Sequence, residues 1–191
     1  WFSFLTYAVV TAVTPGPNNL MSMSNGSRKG FRGALPFNFG ILAGFTVVMV
    51  ACTAFCSVLS VWIPRIKTPM LVLGALYMLY LAWETFRSTG ELESRAAREG
   101  FLSGLLLQFI NPKIYLYCIL SMEAYILPYF QDRPLILLGF ALLLAFIGFL
   151  FTLAWSAFGS VFQRLFSRHA RLVNTIMALL LVYCAVSLFL D

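Results

Sequence analysis

The chain has 191 residues, of which 61% are hydrophobic and 10% are charged, with a formal net charge of +6 and a mean hydropathy of +0.88. Soluble domains carry about 25% charged residues. So few charges cannot cover a surface that faces water, and most of the outer surface is therefore predicted to face lipid. The composition excludes a water-soluble globular domain and indicates an integral membrane protein.

Hydropathy separates six apolar segments along the chain, each near the roughly 20 residues that a helix needs to cross a bilayer core of about 30 Å. Their short connections predict a single transmembrane domain over 1–191 that is entirely α-helical. The first segment lacks a basic leading region and an A-x-A cleavage site, so we expect a membrane span there rather than a signal peptide. The predicted spans are 2–25, 35–61, 69–87, 101–127, 135–160 and 172–190.

Positive charge is unevenly divided between the two sides of these spans. Three basic residues lie on one side, namely Arg65, Lys67 and Arg133. Nine lie in the loops after spans 1, 3 and 5: Arg28, Lys29, Arg32, Arg87, Arg95, Arg98, Arg164, Arg168 and Arg171. The positive-inside rule places the nine in the cytoplasm and both termini on the periplasmic or extracellular side. The basic balance therefore predicts topology and contact with anionic lipid, and not a nucleic-acid partner.

Spans 1–3 and 4–6 are predicted to be two copies of a three-helix unit, over about 1–87 and 101–191, with a cytoplasmic loop at 88–100. An odd number of helices per unit inverts the second copy. Ala75, Leu76, Tyr80, Ala82 and Phe86 match Ala178, Leu179, Tyr183, Ala185 and Phe189 at a constant offset of 103. Pro15 and Pro112 break spans 1 and 4 at similar depths, as in the inverted repeats of secondary transporters.

The first break reads Thr14-Pro15-Gly16-Pro17-Asn18-Asn19. Its prolines remove backbone donors, and lipid tolerates such a break only where the freed groups face protein or a water-filled cavity. The half-helix that follows begins with N–H groups whose partial positive charge suits a carboxylate. A structural kink satisfied by a neighbouring helix is the alternative. The predicted substrate-binding residues here are Pro15, Gly16, Pro17, Asn18 and Asn19.

Lys113, in the second break, lies about 18 Å into span 4 at 1.5 Å per residue. An ionisable residue at that depth indicates function. It could clamp a substrate carboxylate, or lose its proton once desolvated and so couple transport to protons; an inert partner for Glu123 or a backbone carbonyl is the alternative. Glu84 and Glu123 are further proton-coupling candidates, although interfacial solvation also explains them. The predicted site also includes Asn38, Gln108, Asn111, Pro112 and Tyr115.

Enzyme signatures are absent from the sequence. It contains no HExxH, GxSxG, Walker or dinucleotide-binding motif, so no catalytic residue, metal or cofactor is predicted. Cys52 and Cys56 lie four residues apart and are expected to pack as small apolar side chains. A membrane thiol oxidoreductase that uses this pair is an alternative.

The stretch Thr14-Pro15-Gly16-Pro17-Asn18, followed by Gly30-Phe31-Arg32, and the later Gln108-Phe109-Ile110-Asn111-Pro112-Lys113 together resemble the two signatures of the amino-acid exporter family typified by the lysine exporter and the homoserine/threonine exporters. The segments 162–166 and 179–186 are most similar to the branch that exports cysteine and O-acetylserine.

The resemblance implies proton-driven export of a small amino acid or derivative across a bacterial inner membrane. It places the family's signature positions on Pro15, Gly16, Pro17, Asn18, Asn111, Pro112 and Lys113. The sequence offers no acidic residue near the midplane to neutralise a basic cargo, so a small neutral zwitterion is predicted. A passive channel or facilitator is the main alternative, and a monomer and a homodimer both remain open.

Overall fold

The computed structural model describes residues 1–55, 68–69, 72–73, 75–80, 82–83, 85–87, 100–162 and 169–187, and all regular secondary structure in these ranges is helical. This confirms the predicted all-α class. The described residues between 68 and 87 are also helical. The remaining helices are α1 (Phe2–Val13), α2 (Pro17–Ala54), α3 (Phe101–Ile110), α4 (Pro112–Ser121), a π-helical turn (Met122–Ile126), α5 (Leu127–Phe130), α6 (Pro134–Val161) and α7 (Ala170–Ser187).

Both helix breaks occur at residues that precede a proline. Thr14, Gly16 and Asn111 adopt extended conformations, with ψ of 146°, 173° and 103°. The proline ring clashes with a helical conformation at the residue before it, so the chain must leave the helix at each of these positions. The second break bends the helical path between Phe101–Ile110 and Pro112–Phe130 by 64°.

The predicted loop between spans 1 and 2 is wrong. Residues 26–34, including Arg28, Lys29 and Arg32, are helical apart from a single interruption at Gly30. Gly30 has φ 69° and ψ 169°, a conformation that is essentially restricted to glycine. Because one glycine turns the chain, no longer loop is needed, and α2 therefore has an N-terminal part, 17–29, and a C-terminal part, 31–54.

Among the described residues, length and composition identify two helices that could cross a membrane, Pro17–Ala54 and Pro134–Val161, and a third if the bent pair over 101–130 is one span. The helices Phe2–Val13 and Arg171–Val186 are apolar but shorter. The 38 residues of α2 would extend about 57 Å if straight, nearly twice the core of a bilayer. The interruption at Gly30 divides this length into two shorter helical parts.

Close backbone packing joins the C-terminal part of α2 to α3. A Cβ atom added at Gly40 would overlap the carbonyl of Phe101, and one added at Gly104 would overlap the carbonyl of Phe37. Small residues that let helix backbones approach are typical of helix pairs in membranes, where van der Waals packing replaces the hydrophobic effect. This contact fixes α3, and with it the second break, against α2.

Replacing Gly104 with Val is expected to force α3 away from α2 and to destabilise the protein by about 1–3 kcal/mol, the usual cost of overpacking. The apparent Tm in detergent, followed by the loss of the monodisperse species on size-exclusion chromatography, should fall by several degrees. Gly139→Val is the matched control, because a Cβ at Gly139 meets nothing within 4 Å. An equal fall in Tm for both variants would contradict the packing role.

Candidate functional site

A cavity lies where the two breaks meet. The space between its walls, counted together with the open mouth, is about 400 Å³. The walls come from α1, α2, α4 and α6, so all of these helices must be in place before the cavity exists. The lining residues are Thr11, Ala12, Gly16, Pro17, Asn18, Asn19, Phe45, Asn111, Lys113, Ile114, Tyr117, Gly148 and Thr152.

Three side-chain amides tie the first break to the second. Asn18 Nδ2 donates to Gln108 Oε1 at 2.8 Å, and Gln108 Nε2 donates back to Asn18 Oδ1 at 3.2 Å. Asn111 Nδ2 donates to the same Asn18 oxygen at 3.1 Å. Gln108 also donates to the Gly104 carbonyl. Buried amides with paired donors and acceptors are stable in a low-dielectric interior, and this cluster therefore holds the two broken helices in register.

The carbonyls at the C-terminal end of α1 accept hydrogen bonds from side chains of other elements. Asn19 Nδ2 donates to both the Ala12 and the Thr14 carbonyl, at 2.8 and 2.9 Å. Trp155 Nε1 donates to the Val13 carbonyl at 3.2 Å, and Cys184 Sγ donates to the Pro15 carbonyl at 3.6 Å. The backbone acceptors that the prolines release are thus satisfied within the protein, as an interruption in a membrane helix requires.

Lys113 reaches across the cavity to the end of α1. Its Nζ donates to the Thr14 carbonyl at 3.0 Å and to Thr14 Oγ1 at 2.8 Å. The stem crosses Gly16 so closely that a Cβ there would lie 3.2 Å from both Lys113 Cδ and Nζ. Within the described ranges Lys113 forms no ion pair with Glu123, which lies exposed on the π-helical turn. The ammonium therefore interacts with the negative end of the α1 dipole.

The two half-helices that start at the breaks differ at their N-termini. Asn111 caps α4 with its own side chain, whose Oδ1 accepts from the Lys113 N–H at 3.2 Å. Gly16 precedes α2 and offers no side-chain cap. The N-terminus of α2 faces the cavity through Gly16, Pro17, Asn18 and Asn19. It is an uncapped helix N-terminus next to an ammonium group, which is a favourable place for an anion.

Most predicted substrate-binding residues meet at this point. Gly16, Pro17, Asn18, Asn19, Asn111 and Lys113 line the cavity. Gln108 is buried behind Asn18, and Pro15 and Pro112 set the backbone of the breaks without lining it.

Among the described residues, Asn38 and Tyr115 do not line the cavity. Asn38 is buried in α2 and donates to the Ala34 carbonyl. The Tyr115 hydroxyl donates to the Phe109 carbonyl, and a substrate contact for these two residues stays a prediction. Glu84 and Cys56 lie outside the described residues. Cys52 is buried in an apolar cluster.

The sequence prediction missed four other lining residues: Thr11, Phe45, Gly148 and Thr152. Tyr117, a polar residue close to Lys113 in the sequence, also lines the cavity, because it lies four residues after Lys113 on the same face of α4. Phe45 packs onto Gly148, where a Cβ would overlap the ring. Such a contact between distant segments leaves no local trace in the sequence.

Comparison with known proteins supports the resemblance seen in the motifs. The cysteine/O-acetylserine efflux protein of Salmonella typhimurium strain LT2 is 40% identical over 188 residues, covering 98% of this chain and 96% of the relative. The proteins of the same name from Klebsiella pneumoniae and Escherichia coli K12 are 38% and 37% identical, over 99% and 98% of this chain and 96% of each relative. No solved structure matches the chain.

The family model described as "LysE type translocator" matches residues 9–191. The match includes both helix breaks and every residue that lines the cavity. It confirms the resemblance to an amino-acid exporter family and places the chain among translocators rather than enzymes. The chain belongs to the LysE type translocator family.

Proposed function

We propose that this protein is an inner-membrane exporter of small neutral amino acids or their derivatives, of the cysteine and O-acetylserine or homoserine and threonine type, that exchanges its cargo for protons. The observation that carries the proposal is the cavity between the two breaks, where an uncapped helix N-terminus lies beside the ammonium of Lys113. The relatives named as cysteine/O-acetylserine efflux proteins support this choice of cargo.

The α-carboxylate of the cargo binds between the N-terminus of α2 and Lys113. In the empty site Lys113 Nζ is held by the carbonyl and hydroxyl of Thr14. When Lys113 Nζ pairs with the carboxylate of the cargo instead, the carbonyl and hydroxyl oxygens of Thr14 become available to accept hydrogen bonds from the α-ammonium of the cargo. Binding is therefore an exchange of polar partners, and it needs both charges of a zwitterion.

The uncharged side chain of the cargo lies against the lining residues Phe45, Ile114, Tyr117 and Gly148. No carboxylate lines the cavity in the described part of the chain, so a cationic side chain would be buried there without an opposite charge. Burying an unpaired charge is costly, and this favours neutral cargo over lysine or arginine.

Lys113 is also the residue that we assign to proton coupling. Among the described residues it is the only ionisable amine that lines the cavity, and its charge decides whether a carboxylate can be held. Release of a proton from Lys113 to the cytoplasmic side would leave the empty cavity with an uncharged Lys113. Glu123 lies at the exposed π-helical turn, and Glu84 and Glu123 remain alternative proton carriers.

We further propose that the single domain consists of six spans in two inverted repeats. The residues matched at an offset of 103 have matching exposure. Ala75 and Ala178 are 6% and 7% exposed, Leu76 and Leu179 are 58% and 62%, and Tyr80 and Tyr183 are 56% and 65%. Both termini are then periplasmic by the distribution of Lys and Arg.

The packing of these helices supports the same symmetry. Ala75 shares an apolar cluster with Ala185, whereas Ala82 shares another with Ala178. Since Ala75 matches Ala178 and Ala82 matches Ala185, each cluster is the counterpart of the other under a two-fold rotation. Reciprocal contacts of this kind are the property of an isologous interface, here between two parts of one chain. A homodimer would add a second such interface and stays a proposal.

Replacing Lys113 with Met should abolish export while leaving insertion into the membrane intact, because Met keeps the length of the stem and loses the charge that holds the carboxylate. Uptake of labelled O-acetylserine or cysteine into inside-out vesicles is the measurement, and it should fall by at least about tenfold, the loss expected for one charge-assisted hydrogen bond. The control is the amount of each protein in the membrane. Normal uptake by Lys113→Met would refute the proposed site.

Proton coupling predicts that the vesicles accumulate cargo above the external concentration only while a proton gradient is imposed. A protonophore should reduce uptake to simple equilibration, because accumulation needs an energy source. A passive channel would equilibrate cargo at the same rate with and without the gradient. That result would replace the antiport proposal by the facilitator alternative.

Because the α-ammonium of the cargo replaces Lys113 at the oxygens of Thr14, we expect the protein to transport only cargo with a free α-ammonium. O-acetylserine should compete with labelled cargo, whereas its isomer N-acetylserine, which has no α-ammonium, should not compete at a tenfold higher concentration. The test uses mildly acidic medium and short incubation to keep the isomers distinct. Equal competition by both isomers would show that Thr14 does not receive the amino group.

A further inference from the structure

The N-terminal part of α2, residues 17–29, is a straight helix with a break at each end. Thr14 and Gly16 are extended before the prolines at its start. Gly30, at its end, has φ 69° and ψ 169°, and nothing lies within 4 Å of the position where its Cβ would be. Hinges are residues at element ends that can absorb a change of φ and ψ. This helical segment therefore has two potential hinges, one of them at the cavity.

Two glycines allow one face of segment 17–29 to pack directly against α6. A Cβ at Gly26 would overlap the carbonyl of Ser156, and a Cβ at Gly159 would overlap the carbonyl of Met23. The two backbones are thus in direct contact. Phe31 N, just beyond Gly30, donates to Ser160 Oγ at 3.0 Å. No solute can pass between the two helices in this conformation.

Two buried hydroxyls lie inside this closed contact without a hydrogen-bond partner. Ser22 and Ser156 are 0% exposed, and the Oγ atom of each lacks a partner. Serines in helices usually bond to a carbonyl in the preceding turn, as Ser27 does with Ser24 and as the hydroxyl of Thr152 does with Phe149. An unsatisfied polar atom in a helix contact is unfavourable and calls for an explanation.

The two hydroxyls continue the polar faces that begin at the cavity. Asn19, which lines the cavity, is three residues before Ser22, and Thr152, which also lines it, is four residues before Ser156. Residues three or four apart share a helix face. The two faces therefore lead from the cavity toward Gly30 and the basic residues beside it.

We propose that the contact between segment 17–29 and residues 152–160 of α6 closes the cytoplasmic half of the solute pathway, and that Gly26 and Gly159 form the gate. When the segment turns about its two ends, Ser22 and Ser156 become hydrated and donate to, or accept from, a small zwitterion in transit. This inference rests on the proposed function for the cargo and for the cytoplasmic position of the basic end. The gate itself does not depend on which solute is carried.

The unpartnered hydroxyls also limit how stable the closed state can be. Glycine packing favours closure, whereas the loss of hydration at Ser22 and Ser156 opposes it. Opposing contributions of this kind keep two conformations close in free energy, so that binding of a ligand can shift their populations. An interface of apolar residues with the same glycines would close more firmly and would open less often.

The experiment is thiol labelling of Ser156→Cys in a background in which Cys52, Cys56, Cys118 and Cys184 are replaced by Ala. A membrane-impermeant methanethiosulfonate is added to inside-out vesicles and, separately, to right-side-out vesicles. The reagent reacts with the thiolate, which forms in water and not in lipid. We expect Ser156→Cys to be labelled from the cytoplasmic side and not from the other side.

Two matched controls come from the same helix. Ala154 is exposed on a different face of α6, and Ala154→Cys should stay unlabelled from both sides because that face meets lipid. Adding Gly26→Ala to Ser156→Cys should raise the labelling rate about tenfold, since the new Cβ prevents closure. Adding Gly139→Ala should leave the rate unchanged, because that position has no neighbour within 4 Å.

The proposal is overturned if Ser156→Cys is labelled no faster than Ala154→Cys while the variant still exports its cargo. It is also overturned if labelling occurs from the periplasmic side alone. If instead labelling follows the expected pattern and no amino acid is exported, the gate stands and the proposed cargo is wrong. The two proposals therefore fail separately.

Discussion

Two interrupted helices inside a membrane impose one requirement that shapes the rest of this protein: every main-chain group freed by the prolines needs a partner within the protein. An unsatisfied backbone group in hydrocarbon costs several kcal/mol. The partners come from three other parts of the chain, with Asn19 bonded to the Ala12 and Thr14 carbonyls, Trp155 to Val13 and Cys184 to Pro15. The first break is thus an assembly point for α1, α2, α6 and α7.

The same requirement is met differently at the second break, and the difference creates the site. Asn111 caps α4 with its own side chain, whereas Gly16 leaves the start of α2 uncapped. One N-terminus is closed and the other remains available to an anion. The amide cluster of Asn18, Gln108 and Asn111 then fixes the uncapped end beside Lys113. In the proposed mechanism, this difference in capping decides which of the two breaks receives the carboxylate of the cargo.

The sequence was sufficient to predict the helical class, the two breaks and the residues that bring them together, because proline and glycine act on the backbone locally and ionisable residues are rare in membrane spans. It says less where long-range contacts decide. Asn38 and Tyr115 look as polar as Asn18, yet Asn38 donates to a carbonyl of its own helix and Tyr115 donates back across the break to α3. Phe45 and Gly148 line the cavity through a contact that no local pattern encodes. The loop predicted over 26–34 was replaced by Gly30 alone, since only the backbone angles reveal that a single residue can make the turn.

Thr14 is involved both in the proposed binding of cargo and in the proposed movement of segment 17–29. Thr14 holds Lys113 through its carbonyl and hydroxyl and holds Asn19 through the same carbonyl, and it lies directly before the first hinge of segment 17–29. A zwitterion that takes Lys113 away from Thr14 therefore removes hydrogen bonds from the end of the segment that must turn. A ligand can shift a conformational equilibrium only by its differential interaction with the two states. In the proposed mechanism the exchange at Thr14 takes place at the hinge itself, so cargo binding would act on the proposed gate without a separate relay between the cavity and Gly26.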